Sequence, residues 1–160
     1  MTLSSTLMLA ISTITSDEGV RFGDIISHED ELKSLKCDEL VLKRATHVVE
    51  EIARTEEVAK LLPQKNFKEV GTRFYKSHES LSNLMEVSCP ELDQLVSIMK
   101  SSPGVYGARM TGGGFGGCVI ALVKKEFVED VKRKVQAQYN GNPVFFVCQP
   151  SDGARILKLN

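Results

Sequence analysis

Neither sign of charge dominates this 160-residue chain: 20 Lys and Arg stand against 21 Asp and Glu, for a formal net charge of −1. That balance gives no reason to expect nucleic acid or an acidic membrane surface as a partner. Long like-charge blocks are missing, and so are low-complexity tracts and repeats of solenoid period. The cysteines Cys37, Cys89, Cys118 and Cys148 form no C-x-x-C and accompany no His pair at ligand spacing, which argues against a zinc site. Long apolar runs are lacking too. Leu7-Met8-Leu9-Ala10-Ile11 is too short to cross a bilayer, and no basic residues precede it as they would in a signal peptide. Cys118 and Cys148 lie in apolar, strand-like runs and read as buried reduced thiols. With no targeting segment in view, a cytoplasmic protein is expected.

What is present suits one globular domain with a sizeable core, at 42% apolar and 26% charged residues. Residues 2–15 read as a strand, Ser16-Asp17-Glu18-Gly19 as a turn, and the charged stretch from His28 to Glu39 as a connection or short helix. From Leu40, the residues Val41, Ala45, Val48, Val49 and Ile52 recur at helical spacing, and Pro63 ends the run. His47 lies among alternating charges and reads as a solvated or half-buried helix residue. A second helix carries Phe67, Val70, Phe74 and Leu81 on one face. Gly71 is placed there to allow close helix contact, and His78 on the same stripe reads as a core histidine with a hydrogen-bond partner. A third begins at Ser88-Cys89-Pro90-Glu91, with Ser88 as cap and Glu91 completing a capping box. It presents Leu92, Leu95, Val96 and Met99, and stops at Ser101-Ser102-Pro103-Gly104. Val128, Val131 and Val135 mark a fourth helix. Val144 to Cys148 reads as a buried strand, and Ala154 to Leu159 as a last one.

Five of the twelve glycines fall within Thr111-Gly112-Gly113-Gly114-Phe115-Gly116-Gly117. Apolar strand-like runs flank them, Val105 to Met110 before and Cys118 to Val123 after. Gly112, Gly114 and Gly117 satisfy the dinucleotide pattern G-x-G-x-x-G, but that pattern needs a helix directly after the loop, and a strand-like run follows instead. A Walker A loop needs Gly-Lys-Ser/Thr, and Cys118 follows Gly117. The protein-kinase pattern fits through Val119, yet no H-R-D or D-F-G comes after it. Two readings stay open from pattern alone. The glycines either let another segment pack closely or present a bare backbone to phosphate, with Arg109 and Thr111 nearby to add charge and a hydroxyl.

Taken with its flanks, Gly104-Val105-Tyr106-Gly107-Ala108-Arg109-Met110 through Cys118 resembles the third signature motif of the GHMP small-molecule kinases. Lys43-Arg44-Ala45-Thr46-His47-Val48-Val49-Glu50-Glu51-Ile52 is similar to the arginine-rich helix of the galactose-phosphorylating members. Ser77-His78-Glu79-Ser80-Leu81, Glu86-Val87-Ser88-Cys89-Pro90-Glu91-Leu92-Asp93 and Ser151-Asp152-Gly153-Ala154 resemble further family stretches in family order. The likeness covers residues 40–160 and leaves 1–39 as a poorly matched strand and linker. It implies the family's C-terminal domain, an α+β fold with a ferredoxin-like antiparallel sheet packed with helices. It also implies transfer of the ATP γ-phosphoryl group to the C1 hydroxyl of galactose, with Mg2+. Thr111, Gly112, Gly113, Gly114, Phe115, Gly116 and Gly117, with Arg109, would line the phosphate cleft.

The departures bear on function. The family's sugar motif G-E-H-T-D-Y and its main ATP loop P-x-G-x-G-L-S-S-S do not occur here; Leu3-Ser4-Ser5-Thr6-Leu7 is a faint echo of the latter's end. Ser82-Asn83-Leu84-Met85 stands where charged residues and a tyrosine are usual. The catalytic Asp and transition-state Arg belong to the family's N-terminal half, so no catalytic residue and no metal ligand is assigned here. The resemblance thus makes the missing N-terminal kinase domain the first expected partner. A non-catalytic binding or regulatory module that pairs with a kinase or an N-terminal half is the alternative.

Overall fold

The structure is a computed structural model and describes residues 38–148. The elements expected in residues 1–37, the strand Ala154 to Leu159 and the motif beginning at Ser151 lie outside the described residues. Helix α1 spans Glu39–Leu61. The Asp38 carboxylate accepts from Leu40 N–H at its start, as a capping residue does. Helix α2, Phe67–Asn83, is capped by Asn66, whose side chain accepts from Glu69 N–H. Helix α3 is Pro90–Lys100, strand β1 is Val105–Thr111, strand β2 is Cys118–Val123, and helix α4 is Val128–Gln138. A single 3-10 turn, Lys125–Phe127, leads into α4. The architecture is α+β. Among the described residues the sheet has two antiparallel strands, with Met110 opposite Val119 and Thr111 opposite Cys118.

The core lies where α2 and α3 meet β1. Val70, Leu92, Ala108 and Met110 are almost wholly buried, and Ile98, Val131 and Val135 form a second cluster between α3 and α4. All of these but Ile98 were visible as helical or strand periodicity. The closest approach was not. Gly71 faces the backbone of β1 rather than a helix: a Cβ added there would stand 1.9 Å from the Tyr106 carbonyl oxygen. The contact is reciprocal, because a Cβ on Gly107 would stand 2.2 Å from the Gly71 carbonyl oxygen. Helix α2 therefore lies along the backbone of β1, covering a strand that would otherwise expose unpaired polar groups.

Four further expectations are corrected. His47 is buried, at 6% exposure, because α2 packs over it and Ser80 meets its ring. Ser88 does not cap α3: Cys89 is the N-cap, with no side-chain bond, and the Ser88 hydroxyl donates to Asp93 instead. The stretch Val144 to Cys148 is not a strand; Val144, Phe146 and Val147 are 77%, 80% and 68% exposed. Strand-forming residues need a partner strand and a surface to pack on, and among the described residues only Phe145 of this stretch packs against the Ile98 cluster. Cys118 and Cys148 are exposed free thiols, the first at the start of β2 next to the glycine turn and the second in that unpaired stretch.

The Gly71 contact sets two effects against each other. Alanine would favour an isolated helix by up to about 1 kcal/mol, but overpacking typically costs ~1–3 kcal/mol and sometimes more. A Cβ within 1.9 Å of rigid backbone has no side chain to push aside, so the clash wins. Gly71→Ala is expected to lower the unfolding free energy by about 2 kcal/mol or more, read as a fall in the urea midpoint; an unchanged or raised midpoint would refute the contact.

Candidate functional site

Residues 111–117 protrude between β1 and β2. Positive φ angles at Gly112, Gly114, Phe115, Gly116 and Gly117 fold the chain back within a few residues. Among the described residues one bond ties the turn to the body: Phe115 N–H donates to the Val87 carbonyl at 2.7 Å. Gly114 sits beneath that bond, and a Cβ on it would stand 2.2 Å from the same oxygen. Around Gly112, Gly113 and Gly116 nothing among the described residues lies within 4 Å of where a Cβ would be. The two readings of the pattern are thus divided between positions. Gly114 answers to packing, and the other three leave bare backbone facing open space. Thr111 is exposed at the end of β1, and Phe115 is 75% exposed at the tip.

Arg109 is directed elsewhere. Its Nη1 donates to Glu51 of α1 at 2.9 Å, and its Nε to the Met110 carbonyl at 3.1 Å. Its charge is met by a carboxylate and does not stand free at the loop. Glu51 also accepts from the Ser77 hydroxyl at 2.6 Å and from Arg54 at 2.8 Å. Burial alone would raise the Glu51 carboxyl, but these donors and the two guanidiniums hold it below the ordinary carboxylate range.

His78 closes the other side. Its Nδ1 accepts from Met110 N–H at 3.3 Å, and its Nε2 lies 3.1 Å from Asp93 Oδ1. With Nδ1 an acceptor, the ring proton belongs on Nε2, where Asp93 receives it. Asp93 in turn accepts from Ser88. The carboxylate sits between hydroxyl and imidazole, so this is no nucleophilic relay, in which the imidazole must lie in the middle. Both polar groups of Met110 are therefore held by side chains, its N–H by His78 and its carbonyl by Arg109. The network fixes the end of β1 from which the glycine turn springs. Sequence reasoning found His78 but missed Glu51, Ser77 and Asp93, whose roles depend on three elements meeting.

The open glycine backbone fits the approach of a phosphate group, as a row of unencumbered N–H groups can. Magnesium is a different matter. Among the described residues no group of three or more His, Cys, Asp or Glu could hold a metal ion, so they supply no shell for it. Nor is any described helix long and apolar enough to cross a membrane.

Comparison with known proteins agrees with this arrangement. Residues 58–141 match the family described as GHMP kinases C terminal. The chain is 49% identical over 115 residues to galactokinase from Canis lupus familiaris, covering 72% of this chain and 29% of that protein. It is 46% identical over 117 residues to galactokinase from Homo sapiens, covering 73% and 30% respectively. Among solved structures, galactokinase from Lactococcus lactis in complex with galactose matches with a TM-score of 0.76 and 35% identity, over 85% of this chain and 35% of that one. The chain thus spans about three-tenths of the length of the curated relatives it matches.

Two outcomes follow from the geometry. Gly114→Ala places a Cβ against Val87 at a φ of +84° and should lower stability by about 1–2 kcal/mol, whereas Gly113→Ala, with open space around it, should stay within about 0.5 kcal/mol; urea titration of both decides. Burial pushes His47 and His78 below the ordinary imidazole value, with Glu51 and Asp93 only partly offsetting it. The unfolded chain then binds more protons, so stability is whole above about pH 6.5 and falls as pH drops below it. Glu51 adds a further loss below the carboxylate range, since its folded form favours the ion. Thermal melting from pH 8 to 4 should show a plateau followed by a decline starting near pH 6.5, and His78→Gln should flatten the decline's upper part.

Proposed function

Because the chain belongs to the GHMP kinases, whose C-terminal domain it carries, we propose that it is the C-terminal part of a galactokinase, acting in ATP-dependent phosphorylation of galactose at the C1 hydroxyl. The observation that carries this reading is the glycine turn, in which Gly112, Gly113 and Gly116 leave bare backbone facing open space among the described residues, in a chain similar to galactokinases. Residues 111–117 form one wall of the phosphate cleft. In phosphoryl transfer the protein chiefly positions groups and offsets developing charge, and a backbone wall suits that task because it offers N–H groups without side chains that must be moved. ATP supplies the transferred group, and Mg2+ would be held by the N-terminal domain together with the nucleotide. Arg109 serves the site from behind, fixing the end of β1 through Glu51 and Met110. Free thiols at Cys89, Cys118 and Cys148 suit a reducing cytoplasm.

The family's sugar motif, main ATP loop and base do not occur in the 160 residues, beyond the faint echo of the loop's end at Leu3-Ser4-Ser5-Thr6-Leu7. Supplied alone with ATP, Mg2+ and galactose, the chain is therefore expected to form no galactose 1-phosphate. Mixed with the N-terminal part of the canine relative, it is expected to form a complex and restore turnover. Turnover by the chain alone would refute the assignment of the chemistry to the other half. Failure both to bind and to restore turnover would refute the pairing.

A further inference from the structure

The glycine turn hangs from one carbonyl, that of Val87, and the segment bearing it is itself unusual. Glu86 has φ +55°, a left-handed conformation at a residue with a full side chain, where the Cβ meets the following carbonyl. One side chain grips both sides of the strained peptide. Arg44 on α1 donates through Nη1 to the Leu84 carbonyl and through Nη2 to the Glu86 carboxylate at 2.6 Å. Val87 N–H then donates to the Leu81 carbonyl at 3.0 Å, which turns the Val87 carbonyl towards Phe115. The geometry points to Arg44 as a positioning residue for the glycine turn: its two-pronged grip on Leu84 and Glu86 keeps Val87 where Phe115 and Gly114 need it. A planar guanidinium can serve two acceptors at fixed spacing, which an ammonium cannot. The grip favours the ionised Glu86, whose carboxyl is held below its ordinary range by Arg44.

The structural claim stands on these contacts; its consequence for catalysis rests on the proposed kinase reading. The test is amide hydrogen exchange of Phe115 in the 160-residue chain, compared with amides of α4 as an internal reference. Arg44→Ala should speed Phe115 exchange by about 5- to 30-fold, the range set by the cost of a left-handed residue. Glu86→Ala, a change at an exposed side chain that leaves the fold intact, should do the same. Glu86→Gly should stay within about twofold of the parent, because glycine adopts that φ unaided. Equal exchange in Glu86→Ala and Glu86→Gly, or an unaltered Phe115 in Arg44→Ala, overturns the assignment. With the N-terminal part of the canine relative supplied, Arg44→Ala should raise KM for ATP several-fold more than it lowers kcat; faster exchange with an unchanged KM also overturns it. If the exchange pattern appears as expected but the parent mixture shows no turnover, the kinase reading fails and the grip stands.

Discussion

The contact that everything else depends on is backbone against backbone. Gly71 of α2 and Gly107 of β1 approach so closely that neither could carry a Cβ without displacing the other's main chain. That approach sets how near α2 lies to the strand, and three consequences follow from the distance. His78, two turns further along α2, can reach the Met110 N–H with its ring. Ser77, its neighbour, can donate to Glu51 on α1. Val70 can close over Ala108 and Met110 in a core with almost no exposure. Were α2 a side chain's width further away, the Met110 amide would be buried without an acceptor, at a cost of about 1–3 kcal/mol.

The polar residues around this contact are best understood as one network rather than as a reactive cluster. Met110 ends the buried part of β1, and its two main-chain polar groups are held by His78 and Arg109. Asp93 orients the first and Glu51 the second. Each member is partnered, and all but the exposed Asp93 are buried or partly buried, the condition under which such networks specify a unique arrangement instead of weakening it. Burial favours the neutral form of both histidines, and His78 in that form accepts from the Met110 N–H. His78 holds the base of the turn through Met110, while His47 ties α1 to α2 through Ser80; the titratable groups beside the loop serve packing and do not point into it.

Much of this was legible in the sequence, and the reason is periodicity. Among the described residues, the four helices announced themselves through apolar spacing, and the two strands through the runs on either side of the glycines. What stayed hidden depended on a second element. Gly71 advertises a close approach but not its partner. The sequence around Ser88 matches a capping box, yet the hydroxyl goes to Asp93, one turn into the helix, whose same oxygen also meets His78. Val144 to Cys148 has strand composition but no partner strand among the described residues, and composition cannot supply one. The left-handed Glu86 carries no signal at all; it follows from Arg44 gripping the chain from another helix.

The glycine turn shows why motif and mechanism must be separated position by position. Five glycines in seven residues look like a single feature, but their reasons differ. Gly114 is fixed by the Val87 carbonyl beneath it and would be needed whether or not a ligand ever came. Gly112 and Gly116 are required by their positive φ angles, and so serve the shape of the turn. Gly113 has neither a left-handed φ nor a neighbour among the described residues within 4 Å of its absent side chain. Glycine loses more entropy on folding than any other residue, and at this position the described residues make no demand for it; the proposed approach of a phosphate would account for it. The proposed phosphate reading therefore rests most heavily on the one glycine for which the described residues show no need.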